Sequence, residues 1–206
     1  MRTFTKKDID GMDKIYRLNM INSITGYKSA NLIGTQSASG IANLAVFSSV
    51  IHLGSQPPLL GFILRPTTVP RHTYQNLKAN GIFTVNHIHA DQIADAHHTS
   101  AKYPADVSEF DHTQLDAQYH SQWPAPFVKD APIQLACLYQ NEYPIEENGT
   151  ILIVGSIETI YLKDDLLMDD GWIRLDRGNI VAINGLDGYA KPELIERFAY
   201  ARPKKV

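Results

Sequence analysis

Between residues 35 and 85 the chain gathers side chains suited to a phosphorylated, ring-bearing ligand. Ser48, Ser49, Thr67, Thr68 and Thr73 bring hydroxyls that can donate to phosphate or sugar-alcohol oxygens. Arg65 and Arg71 bracket the loop RPTTVPR and offer charge-assisted forks for a phosphate. A helix predicted to start near Thr73 adds free backbone N–H groups and the positive end of its dipole. Asn43 and the backbone beside it suit the edge of a flat heterocycle. By themselves these residues fit equally well an ordinary barrel with a polar loop.

The elements that must position these groups follow from pattern. Residues 19–35 read as strand, glycine-containing turn and strand, and 36–40 (QSASG) as a tight turn. Residues 41–53 read as one buried extended segment, stopped at Gln56-Pro57-Pro58, and 59–64 (LLGFIL) as a short apolar strand. Thr73 is the expected N-cap of a helix that carries Leu77 and Ala79 inward and ends at Gly81. Residues 82–88 form a strand and 90–98 a short helix. The polar stretch 100–126, rich in proline, aromatics and histidine, is long enough to be a functional loop or covering flap. Strands are expected over 133–143, 150–162 and 178–184. Asn148-Gly149 is the turn between the first two and Gly155 a bulge. Pro192 opens a predicted C-terminal helix over 192–200. Hairpin signals outnumber strand–helix–strand units, which points to an antiparallel barrel with peripheral helices.

The order of these segments resembles the flavin reductase-like, FMN-binding split-barrel family. The resemblance lies in SASGIANLAVFSSV followed by QPPLLGFILRPTTVPRHTYQNLKANGIFTVN, with Gly40, Asn43, Ser48, Pro57-Pro58, Thr73, Asn76, Gly81, Phe83, Val85 and Asn86 at the matching places. Ser100 to Phe110, Ala125 to Cys137, Gly149 to Glu158 and the ending INGLDGYAKPELIERFAYARP continue it. No single motif is decisive; the order over 22–203 carries the match. The resemblance implies a mainly β fold with peripheral helices, an antiparallel Greek-key split β-barrel forming a single domain over 1–206. It implies tightly bound FMN in a groove near the interface of a homodimer, with NAD(P)H as transient donor and a small or protein acceptor. Carried over residue by residue, the flavin contacts are Asn43, Ser48, Ser49, Arg65, Thr67 and Thr73, with Arg71 and Lys102 as further phosphate candidates. The same resemblance admits an electron carrier or sensor without nicotinamide turnover, or a binding module that has lost flavin. The two arginines of the 65–71 loop are this chain's departure from the family pattern.

Other residues carry competing chemistry. His87 and His89 share a strand face, but without a cysteine pair or an HExxH helix they read as surface or flavin-edge residues, and no metal is expected. His97 or His98 could border the flavin pocket. Cys137 reads as core, Trp123 and Trp172 as apolar packing, Tyr189 as subunit packing, and Lys204-Lys205 as solvated tail. No GxGxxG follows a strand and no GxxxxGK[ST] is present, which argues against a resident dinucleotide site or a nucleotide-hydrolysing loop. A net charge of -3 makes nucleic acid a poor partner, and one cysteine excludes an internal disulfide. The charged N-terminus does not read as a secretory signal and no run is apolar enough to span a bilayer, so a cytoplasmic location is expected.

Overall fold

The computed structural model describes residues 1–120 and 123–204; Lys205, expected as tail, lies outside them. Two helices open the chain, α1 (Lys6–Asp10) and α2 (Lys14–Ile24). Strands β1 (Lys28–Ser29), β2 (Asn31–Gln36), β3 (Ala42–Phe47), β4 (Ile51–Ser55) and β5 (Pro58–Leu64) follow. Then come α3 (His72–Asn80), β6 (Ile82–His87) and α4 (Ile93–His98). The chain continues through β7 (Ala117–Gln118), β8 (Phe127–Val128), β9 (Ile133–Ile145), β10 (Thr150–Leu162), β11 (Ala182–Asn184) and β12 (Gly188–Ala190). Seven strands form one antiparallel sheet in the order β3-β2-β6-β9-β10-β5-β4, so β5 skips over the intervening chain to pair with β10.

Strand β2 is buried on both faces, which explains why its sequence does not alternate. Ile33 faces a core with Phe62, Phe83, Cys137 and Ile153. Leu32 faces a second core with Leu44, Ile88, Ala96, Val128 and Ile183, formed under the 90–131 connection. In the first core Phe62 stands edge-on to Phe47 and Phe83, with ring centroids 5.2 and 5.7 Å away. The β9–β10 hairpin shifts register at Val154/Gly155, where the expected bulge occurs. A side chain at 155 would meet the Phe83 ring at 2.5 Å.

Several expectations are corrected. Residues 14–24 form a helix where strand had been expected from residue 19 onward, because Asp13 caps it by accepting from Ile15 N at 2.9 Å and Tyr16 N at 3.3 Å. The segment read as one strand over 41–53 breaks into β3 and β4. The N-cap of α3 is Arg71 rather than Thr73, which lies in the first turn. The final strand shortens to β11 and gains β12 as a hairpin partner. The predicted helix over 192–200 is absent: no strand or helix forms after Ala190 among the described residues. A lone nine-residue helix gains little by propensity. Here Arg197 instead holds the tail, with a bond of 2.6 Å to Asp170 and its guanidinium 4.4 Å over the Trp172 ring.

Candidate functional site

The candidate site lies where β3, the loop after β5 and the start of α3 meet. Asn43 is 8% exposed, and its Nδ2 donates to Thr35 Oγ1 and Thr73 Oγ1, each at 3.2 Å. Asn76 Nδ2 adds a third bond, to Thr35 Oγ1 at 3.0 Å. These four buried side chains pin β2, β3 and α3 together. With both amide protons spent inward, Asn43 has Oδ1 to offer a ligand.

The hydroxyls divide by role. Ser49 Oγ accepts from Ile63 N at 3.0 Å and donates to Ile63 O at 3.3 Å, fastening the β3–β4 connection to β5. Ser48 beside it is half-buried, while Thr67 and Thr68 are exposed. Arg65 projects from the end of β5 as an exposed side chain. Arg71 is half-buried, and its Nε donates to Pro66 O at 3.2 Å, bracing the loop from inside. Arg71 caps α3 with no side-chain hydrogen bond, so the helix starts with uncapped N–H groups. Two guanidiniums, free hydroxyls and an uncapped helix start form the donor set that a phosphate monoester needs. The chain therefore fits a phosphorylated cofactor at this loop. Lys102 is exposed on the segment after α4.

Two cavities flank the 36–40 turn. The smaller, about 160 Å³, is lined by Ser39, Asn43, His72, Gln75 and Val107 among others. The larger, about 500 Å³, lies between that turn, Asn80, Ile82 and Pro124-Ala125. Of the eight residues expected to contact the flavin, Asn43 lines the smaller cavity, and Ser48, Ser49, Arg65, Thr67, Arg71, Thr73 and Lys102 line neither.

Glu109 was not singled out from sequence beyond its place in the matching segment Ser100 to Phe110. It is 5% exposed, and its carboxylate accepts from Leu44 N at 2.8 Å on the open side of β3. Burial raises its pKa, against the bond from Leu44 and the nearby charge of His72. It thus joins the 100–126 connection to the residue after Asn43. Glu109→Ala is expected to leave that amide unsatisfied and cost about 1–3 kcal/mol. Glu109→Gln, which keeps the acceptor and removes a buried charge, is expected to retain most of the stability. Urea melts of the two variants check this.

The histidines serve other ends. His98 Nε2 lies 2.7 Å from Tyr103 OH, Tyr103 stacks on His112 at 4.7 Å, and His97 meets Tyr189 edge-on at 5.8 Å. His89 Nδ1 accepts from Asp91 N at 3.2 Å, capping a short 3-10 turn. His87, half-buried at the end of β6, has its imidazole pushed down to about 4 by burial. An unfolded chain binds that proton near pH 6.5 and the folded chain does not. Stability is therefore present above about pH 6.5 and is lost as pH falls toward 4, by about 3 kcal/mol. His87→Leu is expected to flatten this part of the stability profile, measured by denaturant titration at pH 7 and 4.5. Cys137 is fully buried, and burial with the Glu158 charge pushes its thiol up, which suits core packing. Trp123 Nε1 donates to Phe83 O at 3.2 Å, a polar anchor beyond simple packing.

This architecture is a split barrel with peripheral helices. A family model for the flavin reductase like domain matches residues 27–174, and the chain belongs to that family. A Shewanella frigidimarina NCIMB 400 protein, assigned as a flavin reductase with a split barrel domain, superposes with a TM-score of 0.94. It is 41% identical, over 98% of this chain and 100% of that one. Nitrilotriacetate monooxygenase component B from Bacillus cereus shares the fold, with a TM-score of 0.82 at 20% identity, over 97% of this chain and 98% of that one. An uncharacterized Halalkalibacterium halodurans protein is 25% identical over 83% of both chains. Among the described residues no helix is long and apolar enough to cross a membrane.

Proposed function

We propose that this chain, as one domain, is an FMN-binding oxidoreductase that passes electrons from NAD(P)H to a small or protein acceptor, as a cytoplasmic homodimer. The observation that carries the reading is the uncapped start of α3 beside Arg65, Thr67, Thr68 and Arg71, in a chain of the flavin reductase-like family. The relative described as a monooxygenase component agrees with a role in supplying electrons to another protein.

Bound flavin supplies the redox step, taking two electrons and releasing them singly or together. The protein's part is to hold and orient. Arg65 and Arg71 neutralise the phosphate, and Thr67, Ser48 and the first N–H groups of α3 complete its hydrogen bonds. Thr73 and Ser49, spent on Asn43 and Ile63, act by fixing the backbone around the ring and the sugar-alcohol chain. Asn43 presents Oδ1 from a rigid four-residue network, so a ring N–H finds an acceptor already oriented. Lys102 is an outlying charge on the flap.

The test is an anaerobic titration of purified protein. A flavin spectrum that persists through gel filtration and bleaches within seconds on NADH or NADPH is the expected result. Bleaching by dithionite alone identifies a carrier or sensor. A colourless protein that takes up no added FMN overturns the reading.

A further inference from the structure

The sequence holds three Asn-Gly pairs, at 80–81, 148–149 and 184–185. Before a glycine, the next backbone nitrogen reaches the asparagine side-chain carbon most easily, because no Cβ obstructs the five-membered ring. The fold treats the three pairs differently. Asn80 closes α3, its Nδ2 donates to Gln36 O at 2.6 Å, and the Gly81 amide donates to Leu77 O at 2.9 Å as part of the helix cap. Asn184 lies in β11, with Oδ1 shut away from solvent and without a hydrogen-bond partner among the described residues.

Asn148 stands exposed at the tip of the β9–β10 hairpin. Its Oδ1 accepts from Thr150 N at 3.0 Å and from Thr150 Oγ1 at 2.7 Å. Two donors on one amide oxygen draw electrons from Cγ and stabilise the oxyanion that forms when a nucleophile adds there. Both bonds are on the oxygen, so Nδ2 is free to leave. The Gly149 amide donates to Ile145 O at 2.9 Å, so attack waits on fraying of the tip. Burial does not oppose that fraying, because residues 146–149 are all exposed.

We propose that Asn148 is a self-modifying site that converts to aspartate and isoaspartate in the folded protein. Gly149 N gives its proton to hydroxide and bonds to Asn148 Cγ. The Cγ–Nδ2 bond breaks and ammonia leaves with a proton from water. A second water opens the ring at either carbonyl, giving aspartate or isoaspartate. Nothing is oxidised or reduced, and a carboxylate stands where a neutral amide stood.

The new charge arises beside the loop that bears two arginines. A Cβ placed on Gly149 would lie 3.8 Å from Pro66 Cγ, so the tip packs on that loop. Ile151 pairs with Leu64, and their next neighbours are Thr150 and Arg65. Glu146 and Glu147 already flank the tip, and a third negative group there opposes an anion held by Arg65 and Arg71. This consequence rests on the phosphate reading of the loop; the conversion itself does not.

The intact chain is held in mildly alkaline buffer and digested at intervals. The peptide with Asn148 is expected to exchange NH2 for OH by mass about tenfold faster than those with Asn80 and Asn184, and to split into aspartate and isoaspartate forms. Thr150→Val removes the hydroxyl donor and keeps the backbone one. With circular dichroism unchanged, it is expected to slow the exchange about fivefold. Earlier conversion of Asn80 or Asn184, or a Thr150→Val protein that converts as fast as the wild type, overturns the proposal. Asn148→Asp is expected to bind FMN about threefold more weakly at low salt and equally well at high salt. Equal Kd values at low salt overturn the link to the loop. A wild type that takes up no FMN overturns the cofactor reading alone, and the mass measurement still decides this proposal.

Discussion

Gly34→Ala is expected to lose about 3–4 kcal/mol of stability, through overpacking and a broken buried hydrogen bond. Gly34 sits in β2 between Leu44 on β3 and Thr84 on β6, buried on both faces. A methyl group there would run into the Pro126 carbonyl and stand 2.5 Å from Thr84 Oγ1. Those two groups are themselves hydrogen-bonded at 2.6 Å, so neither can retreat without losing the other. The strain falls on the crossing of the 123–128 segment over the sheet, which also forms one wall of the larger cavity. The midpoint of urea unfolding reads the effect. An unchanged midpoint would mean that this segment does not lie over β2.

Removing one phosphate contact is the second large effect. Arg65→Ala or Arg71→Ala is expected to cost about 1.5–3 kcal/mol of FMN binding, roughly ten- to hundredfold in Kd. The two arginines differ in kind. Arg65 is exposed and makes no hydrogen bond within the loop, so its loss acts through charge and grows weaker as salt rises. Arg71 also braces Pro66, so its loss loosens the loop as well. Titration of the apoprotein with FMN at two ionic strengths separates them. If neither replacement moves the Kd, the phosphate lies elsewhere.

Much of the barrel was legible because its signals are local. Asn148-Gly149 with strands on either side and the helix end at Gly81 each follow from a glycine's backbone freedom, and the bulge falls at Gly155, where there is no room for a side chain. The misses share another cause. Apolar and polar residues are mixed on every side of the 14–24 helix, so periodicity could not reveal it, although Asp13 was a readable cap. The tail beyond Ala190 resembles a helix by composition, but among the described residues Arg197 alone gives it a side-chain hydrogen bond to the rest of the chain. At the site, residue types named the donors but not their employment. Thr73, Ser49 and Asn43 could be chosen as ligand contacts, yet their bonds to each other and to Ile63 depend on strands that meet only in the folded chain. Glu109 is 65 positions from Leu44, a distance at which no local pattern connects them.

The carboxylate at Glu109 has a further consequence for how the molecule behaves in a crowd. An outer strand with bare amides is a template on which other chains add, the first step toward fibres. Occupying the Leu44 amide with the buried Glu109 side chain removes one bare donor from that margin. A strand from another chain would have to displace that side chain before it could pair at this margin.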